Sequence, residues 1–165
     1  MVFKNKNELL TFLYDKAYDA LKNAQIVVYE IIQDFLQQFY DDYDPSLYSR
    51  TEQLLRSLVK GDIQPSAKGY VAEVYFDLDE LQYSKYDWQG GNPPSGEQVF
   101  EAAKQGLHGA IGDAGGGYQF HYVDPRTKGG TGVNIWSDPL QVLDAEAIRI
   151  LKDRLVEQGI PLKKK

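Results

Sequence analysis

The chain contains no cysteine among its 165 residues and only two histidines, His108 and His121. It therefore cannot form a disulfide scaffold, a thiolate metal site or a cysteine nucleophile. The two histidines lack the close spacing of a zinc-binding helix, so we expect no metal and no other cofactor. The serines form no nucleophile elbow, and the glycine-rich runs lack the Gly-Lys-Ser/Thr ending of a phosphate-binding loop. We therefore expect a protein that is not an enzyme.

A long apolar run and an excess of basic residues are also missing. Residues 24–35 form the longest apolar-looking stretch, and polar residues such as Gln25 and Glu30 interrupt it well short of the roughly 20 apolar residues of a membrane span. The 24 acidic residues outnumber the 18 basic ones and give a net charge of -6, which repels phosphate backbones and anionic membranes. We expect neither sequence-specific nucleic acid nor a membrane as a partner.

What the sequence does contain is an ordinary globular composition with many aromatic residues. Hydrophobic residues make up 42% and charged residues 25% of the chain, which predicts one domain, residues 1–165, with its own core. There are 12 tyrosines, 7 phenylalanines and 2 tryptophans. Such side chains suit protein contacts, because the ring buries area while the polar atom stays hydrogen-bonded.

The first 40 residues carry the clearest periodic pattern. Apolar residues recur in steps of three and four, which predicts one long amphipathic helix over residues 7–40. The seam runs through Leu10, Leu13, Ala17, Ala20, Ala24, Val27 and Ile31. Its period near 3.5 residues permits a coiled coil, whereas its alanines favour close packing inside one domain. Both alternatives stay open at this level.

Capping signals predict two further helices. Asp44 followed by Pro45 starts a helix over residues 45–60, which Gly61 ends and in which Leu54, Leu55 and Leu58 face inward. Ser95 and Gln98 form a capping box that opens a short helix ending near residue 107.

A last helix is predicted to begin at Asp144 and to end at Gly159. Its inner face should comprise Ala147, Ile148, Leu151, Leu155 and Val156. Residues 160–165 should be a flexible basic tail.

Strand patterns are shorter. Residues 70–78 alternate, with Tyr70, Ala72, Val74, Phe76 and Leu78 on one side. Residues 118–123 and 132–136 should pair as a hairpin, and the glycine-rich residues 109–117 should be a flexible loop. The order of elements predicts an α+β fold with a small antiparallel sheet of three to four strands and helices packed on one face.

Residues 79–94 are polar, aromatic and rich in turn residues, which predicts a projecting loop or arm. Aromatic side chains without an internal place are candidates for a protein interface, where Trp and Tyr dominate the binding energy. The interface candidates are Tyr83, Tyr86, Trp88, Tyr118 and Trp136.

Three segments carry a family resemblance. The first is Tyr43-Asp44-Pro45-x-x-Tyr48-x-Arg50-Thr51 after the long helix, the second is residues 99–109, and the third is Gly132-Val133-Asn134-Ile135-Trp136-Ser137-Asp138-Pro139. Together they resemble the minor virion proteins of long-tailed bacteriophages and prophages that join head to tail, the neck or tail-completion proteins.

The resemblance implies a structural protein of the head-to-tail connector or tail-completion region. Such a protein would assemble in the host cytoplasm into a ring around the DNA exit channel and remain in the virion. Its partners would be copies of itself and neighbouring connector or tail proteins. Two alternatives remain open from the residues alone: a non-viral protein-binding module and a small hydrolase.

Overall fold

The structure is a computed structural model that describes residues 2–41, 52–67, 69–81, 93–105, 107–112, 118–122, 134–160 and 162, with the backbone alone for 107–112 and 118–122. Its helices are α1 (Lys6–Asp41), α2 (Gln53–Ser57), a 3-10 helix (Leu78–Leu81), α3 (Gly96–Lys104) and α4 (Ser137–Glu157). Its strands are β1 (Leu58–Lys60), β2 (Gln64–Ser66), β3 (Gly69–Val71), β4 (Val74–Phe76), β5 (Leu107–Gly112) and β6 (Tyr118–Tyr122).

The predicted α+β class is confirmed. In the part of the chain that the structure describes, the strands pair in twos, β1 with β4, β2 with β3 and β5 with β6, where we expected one sheet of three or four strands. The pairs β2–β3 and β5–β6 are antiparallel. Four of the six strands have only three residues, so each offers few ladder hydrogen bonds to a further neighbour.

The chain divides into two compact units. Unit 1 comprises Met1–Glu30, Lys60–Tyr75 and Val142–Lys165, and unit 2 comprises Ile31–Val59 and Phe76–Gln141. The helices α1 and α4 each contribute residues to both units. No described helix is both long and apolar enough to cross a membrane.

The long first helix is confirmed, and its start has a local cause. The Asn5 side chain accepts a hydrogen bond from the backbone N–H of Glu8 at 2.9 Å, and the Glu8 carboxylate accepts one from the N–H of Lys4 at 2.7 Å. These bonds satisfy backbone donors that an N-terminus leaves free. The helix therefore begins at Lys6, one residue before the predicted start.

In unit 1 the middle of α1 is anchored by a buried glutamine. Gln25 is 8% exposed, and its amide N–H groups donate to the carbonyl oxygens of Gly61 (2.7 Å) and Glu73 (2.8 Å). Gly61 also donates its N–H to the Glu73 oxygen at 2.9 Å. One polar residue thus ties α1 to the chain that leaves β1 and to the chain that enters β4.

In unit 2 the core is built from large side chains. The buried ones are Leu36, Phe39, Leu54, Leu58, Leu81, Phe100 and Ile135. The 3-10 helix contacts both α2 and α3. Gly96, at the start of α3, lies so close to this helix that an added Cβ would stand 1.8 Å from the Leu78 oxygen.

The predicted helix over residues 45–60 is wrong at both ends of its described part, residues 52–60. Glu52 has a φ of 54°, in the left-handed region that α-helix residues do not adopt, so the helix begins only at Gln53. Residues 58–60 form β1 instead of the last turn. Asp44 and Pro45 lie outside the described residues, whereas Leu54 and Leu58 are buried and Leu55 is half-buried.

The predicted strand over residues 70–78 is two strands. β3 pairs with β2 and β4 pairs with β1, and residues 72–73 separate them. The alternation itself is confirmed from Tyr70 to Phe76, because the even-numbered residues are half-buried and Val71, Glu73 and Tyr75 are exposed. Leu78 is an exception: it starts the 3-10 helix and is 36% exposed.

The capping box of α3 is confirmed. The Ser95 side chain accepts from the Gln98 N–H, and the Gln98 side chain accepts from the Ser95 N–H. The helix ends at Lys104, three residues before the predicted end, and Leu107 already belongs to β5.

The predicted hairpin has a different first strand. β6 pairs with β5, so the first part of the predicted glycine-rich loop, residues 109–112, is a strand, and residues 134–136 precede α4 without strand structure. Glycine content lowered the strand propensity but did not prevent backbone pairing.

Helix α4 begins at Ser137, seven residues before the predicted cap at Asp144. Its C-terminal end at Gly159 is confirmed. Gly159 has a φ of 80°, its N–H donates to the Val156 oxygen, and the Ile160 N–H donates to the Leu155 oxygen, as in a Schellman motif.

The predicted inner face of α4 is mostly wrong. Ile150 is buried and Leu155 is half-buried, but Ala147, Ile148, Leu151 and Val156 are exposed. Apolar residues occupy much of this helix circumference, so periodicity alone could not choose the buried side.

Candidate interaction surfaces

Trp136 is the one predicted interface residue whose side chain the structure describes. It lies in unit 2, immediately before α4, and is 41% exposed. Tyr118 lies in β6, where only the backbone is described, and Tyr83, Tyr86 and Trp88 lie outside the described residues.

The Trp136 ring rests on the core of unit 2. It meets Phe100 edge to face, with the ring centroids 5.7 Å apart and the planes at 89°. Phe100 is 9% exposed and packs in turn against Phe76 at 4.7 Å. Phe76 is half-buried. The exposed tryptophan is the outer member of a chain of three rings.

A cation lies beside the same rings. The ammonium of Lys104 is 5.2 Å from the Trp136 centroid and 5.6 Å from that of Phe100, within the range of cation–π attraction. The Glu101 carboxylate holds it at 2.7 Å. These contacts restrict the rotamers of Trp136, so little side-chain entropy remains to be lost when a partner covers the ring.

The backbone under Trp136 is fixed by Asn134. The Asn134 side-chain oxygen accepts from the N–H groups of Trp136 (3.0 Å) and Ser137 (2.9 Å), and its amide donates to the Lys104 oxygen at 2.9 Å. The Asp138 carboxylate accepts from the Asn134 N–H at 2.8 Å. Asn134 thus acts as the helix cap that we had placed at Asp144, and Asn134 with Asp138 is the sequence signal that could have located it.

A second surface, the groove face, is an open apolar groove in unit 1. The groove has a volume of about 440 Å³. Its lining comprises Leu10, Leu13, Tyr14, Ala17, Leu21, Gly69, Tyr70, Leu151 and Leu155, none of which is charged. The Tyr70 ring lies 5.4 Å from that of Tyr18 and 6.3 Å from that of Tyr14, both edge to face.

Charged pairs on α4 lie away from this groove. Arg149 binds Glu146 and, at 3.3 Å, Asp153, and the hydrogen bond with Glu146 raises the pKa of Arg149. At 100° per residue these side chains occupy a different side of α4 from Leu151 and Leu155. The exposed Asp144 and Lys152, four residues before and after Ile148, lie on the groove side of the helix. Sequence reasoning did not find the groove, because it assigned these leucines to the interior.

The two histidines come together in the backbone register. His108 of β5 is the direct partner of His121 of β6 in the antiparallel ladder. Within the described ranges no group of three or more His, Cys, Asp or Glu residues could hold a metal ion.

The family comparison decides the origin of the chain. A model of the YomN family matches residues 5–138, which is most of the sequence. The chain belongs to the YomN family. This family derives from phages and prophages, so the bacteriophage part of the resemblance is confirmed. No curated protein and no solved structure matches this YomN-family chain.

Proposed function

We propose that this chain is a structural virion protein of the phage head-to-tail connector or tail-completion region, which assembles by protein contacts into a ring. In this proposal it works without catalysis or a cofactor, is assembled in the host cytoplasm and binds copies of itself and neighbouring connector or tail proteins. Membership of a phage-derived family supports the bacteriophage part of this proposal. Trp136 is the observation that carries the proposal.

Trp136 has the properties of a binding hot spot. It is large, 41% exposed, and held in one orientation by Phe100, Lys104 and the Asn134 cap. Residues that dominate protein interfaces are enriched in tryptophan and are well ordered before binding. The net charge of -6 also fits a channel protein, because repulsion of phosphates would let DNA pass without adhering.

The test compares Trp136→Ala with Tyr75→Ala in particle assembly. Tyr75 is an exposed aromatic residue, 47% accessible, in unit 1, and serves as the matched control. We expect Trp136→Ala to weaken ring formation or incorporation into particles by about thirtyfold or more, as for a hot spot of about 2 kcal/mol. Rings are counted by electron microscopy and incorporation by mass spectrometry of purified particles.

Two outcomes would refute the proposal. One is the absence of this chain, including peptides over residues 118–136, from purified particles of the phage that encodes it. The other is equal assembly of both variants, which would remove Trp136 from the interface. Thermal unfolding of each variant shows whether a loss of assembly is a loss of folding, and Trp136→Phe, which keeps a ring against Phe100, separates the two further.

A further inference from the structure

The groove face is an exposed apolar patch. Its exposed lining residues are Leu10 (37%), Leu13 (37%), Tyr14 (51%) and Leu151 (37%), and the neighbouring Tyr18 (38%) and Ile148 (68%) extend it. Together they present roughly 400–500 Å² of apolar surface, from typical side-chain areas. On soluble monomers the largest apolar patch is about 300–600 Å² and is often functional.

This area matches one side of a homodimer interface. A standard interface buries about 800 Å² per partner, and about 65% of a homodimer interface is apolar. A patch of roughly 400–500 Å² therefore supplies most of the apolar share of one partner. The groove lining holds no charged side chain, and its polar side-chain groups are the hydroxyls of Tyr14 and Tyr70. The area favours a protein surface as the occupant.

The shape of the groove face indicates which protein binds it. Ile148 is the most exposed large apolar residue of α4 and precedes Leu151, a wall of the groove, by three residues. Residues three apart lie on the same side of a helix, so a projecting side chain stands next to the concavity. A surface that carries both a knob and a hole can pair with itself around a two-fold axis, because both contacts form twice.

We propose that the groove face pairs two copies of this chain around a two-fold axis, with Ile148 of each copy seated in the groove of the other near Leu13 and Tyr14. The pairing covers the uncharged groove and leaves the ion pairs of Arg149 in solvent. Two-fold pairs joined through a second surface, such as that around Trp136, also close into rings with dihedral symmetry.

The first experiment measures the mass of the full-length Trp136→Ala variant, in which the proposed ring contact is weakened, by sedimentation over a wide range of concentration. We expect the mass to rise to twice the 18.7 kDa of the chain and to stop there. Ile148→Asp should weaken the pairing by at least about a hundredfold, because the carboxylate would be buried without a partner. Its melting should change little, since the side chain is already exposed.

The matched control is Val156→Asp. Val156 is 57% exposed on the same helix, but eight residues place it about 80° around the axis from Ile148 and it does not line the groove. This variant should pair like the parent. If both aspartates weaken pairing equally, the contact is not the groove face.

A second experiment uses the absence of cysteine from the chain. Ile148→Cys and Leu13→Cys copies are mixed and treated with a short thiol cross-linker. The mixture should form covalent dimers that join one variant to the other, and a mixture of Val156→Cys with Leu13→Cys should not.

Three results would overturn the inference. A chain that stays monomeric at every concentration does not pair, and growth beyond two copies that depends on Ile148 indicates a head-to-tail contact. If the chain stays monomeric and Ile148→Asp prevents only its incorporation into particles, the groove binds a different protein. The inference does not rest on the virion role, because a chain that pairs but is absent from particles retains the pairing and loses only the proposed function.

Discussion

The two units of this chain bury very different residues. Among the described residues, unit 1 buries Ala20, Ala24 and Ile150 with the polar Gln25, whereas unit 2 buries a series of leucine, phenylalanine and isoleucine side chains. In unit 1 the larger side chains of α1, such as Leu10 and Leu13, stay 37% exposed. Unit 2 is thus stabilised by its own apolar core. Unit 1 combines close packing of small residues with apolar surface that stays exposed.

The largest difference in stability should come from replacing a leucine of α1 by alanine, once in unit 2 and once in unit 1. Leu36 of unit 2 is fully buried, so Leu36→Ala should lower the free energy of unfolding by about 2–5 kcal/mol. Leu10→Ala in unit 1 should cost less, about 1–2 kcal/mol, because 37% of that residue already contacts water. Urea unfolding at low protein concentration measures both. Equal losses would show that the two parts of α1 are equally covered.

A second test concerns the tight contact of unit 2. Gly96→Ala would place a Cβ 1.8 Å from the Leu78 oxygen, so the backbone must shift, at a cost of about 1–3 kcal/mol. Gly61→Ala in unit 1 is the control, because its Cβ would lie 3.4 Å from the Tyr75 ring. We expect the melting temperature to fall for Gly96→Ala alone. A tolerated alanine at 96 would mean that α3 is not held against the 3-10 helix.

A third test removes the polar anchor of unit 1. Gln25→Leu keeps the approximate size but leaves the Gly61 oxygen without the amide donor, which should cost about 1–3 kcal/mol. Gln37→Leu on the same helix is the control, since Gln37 is exposed and bonds only locally to Asp41. Its effect should stay within about 0.5 kcal/mol. If Gln25→Leu is equally mild, α1 does not need this anchor.

The smallest expected effect is at the capping box of unit 2. Ser95→Ala removes the acceptor for the Gln98 N–H and should cost about 1 kcal/mol. Hydrogen exchange of the first turn of α3 should rise in this variant and stay unchanged in unit 1. Faster exchange throughout both units would instead mean that the cap supports the whole chain.

Local signals located the elements that depend on neighbouring residues. The 36 residues of α1 repeat one pattern often enough to define it within one residue at each end, and the capping box of α3 involves two residues three apart. The three-residue strands lack such redundancy. Their partners are chosen by distant contacts, such as the Gln25 bonds to the carbonyls of residues 61 and 73.

The interaction surfaces were predicted only in part. Trp136 could be proposed from its residue type, but its support by Phe100 and Lys104 depends on residues more than thirty positions away. The groove face could not be found, because an exposed Ile148 and a buried Ile150 look alike in a sequence. Exposure of one side of an apolar helix is decided by the tertiary structure.

The discontinuity of unit 1 has a consequence during synthesis. Its first part ends at Glu30 and its last begins at Val142, so at about 5–20 residues per second the ribosome needs on the order of ten seconds to deliver α4 after the start of α1. Until then the leucines that line the groove have no α4 beside them, and the Lys16 contact with Gln158 cannot form. Unit 1 must therefore complete its folding after translation of α4, and nascent chains arrested before residue 142 should expose to chaperones the leucines of α1 that line the groove.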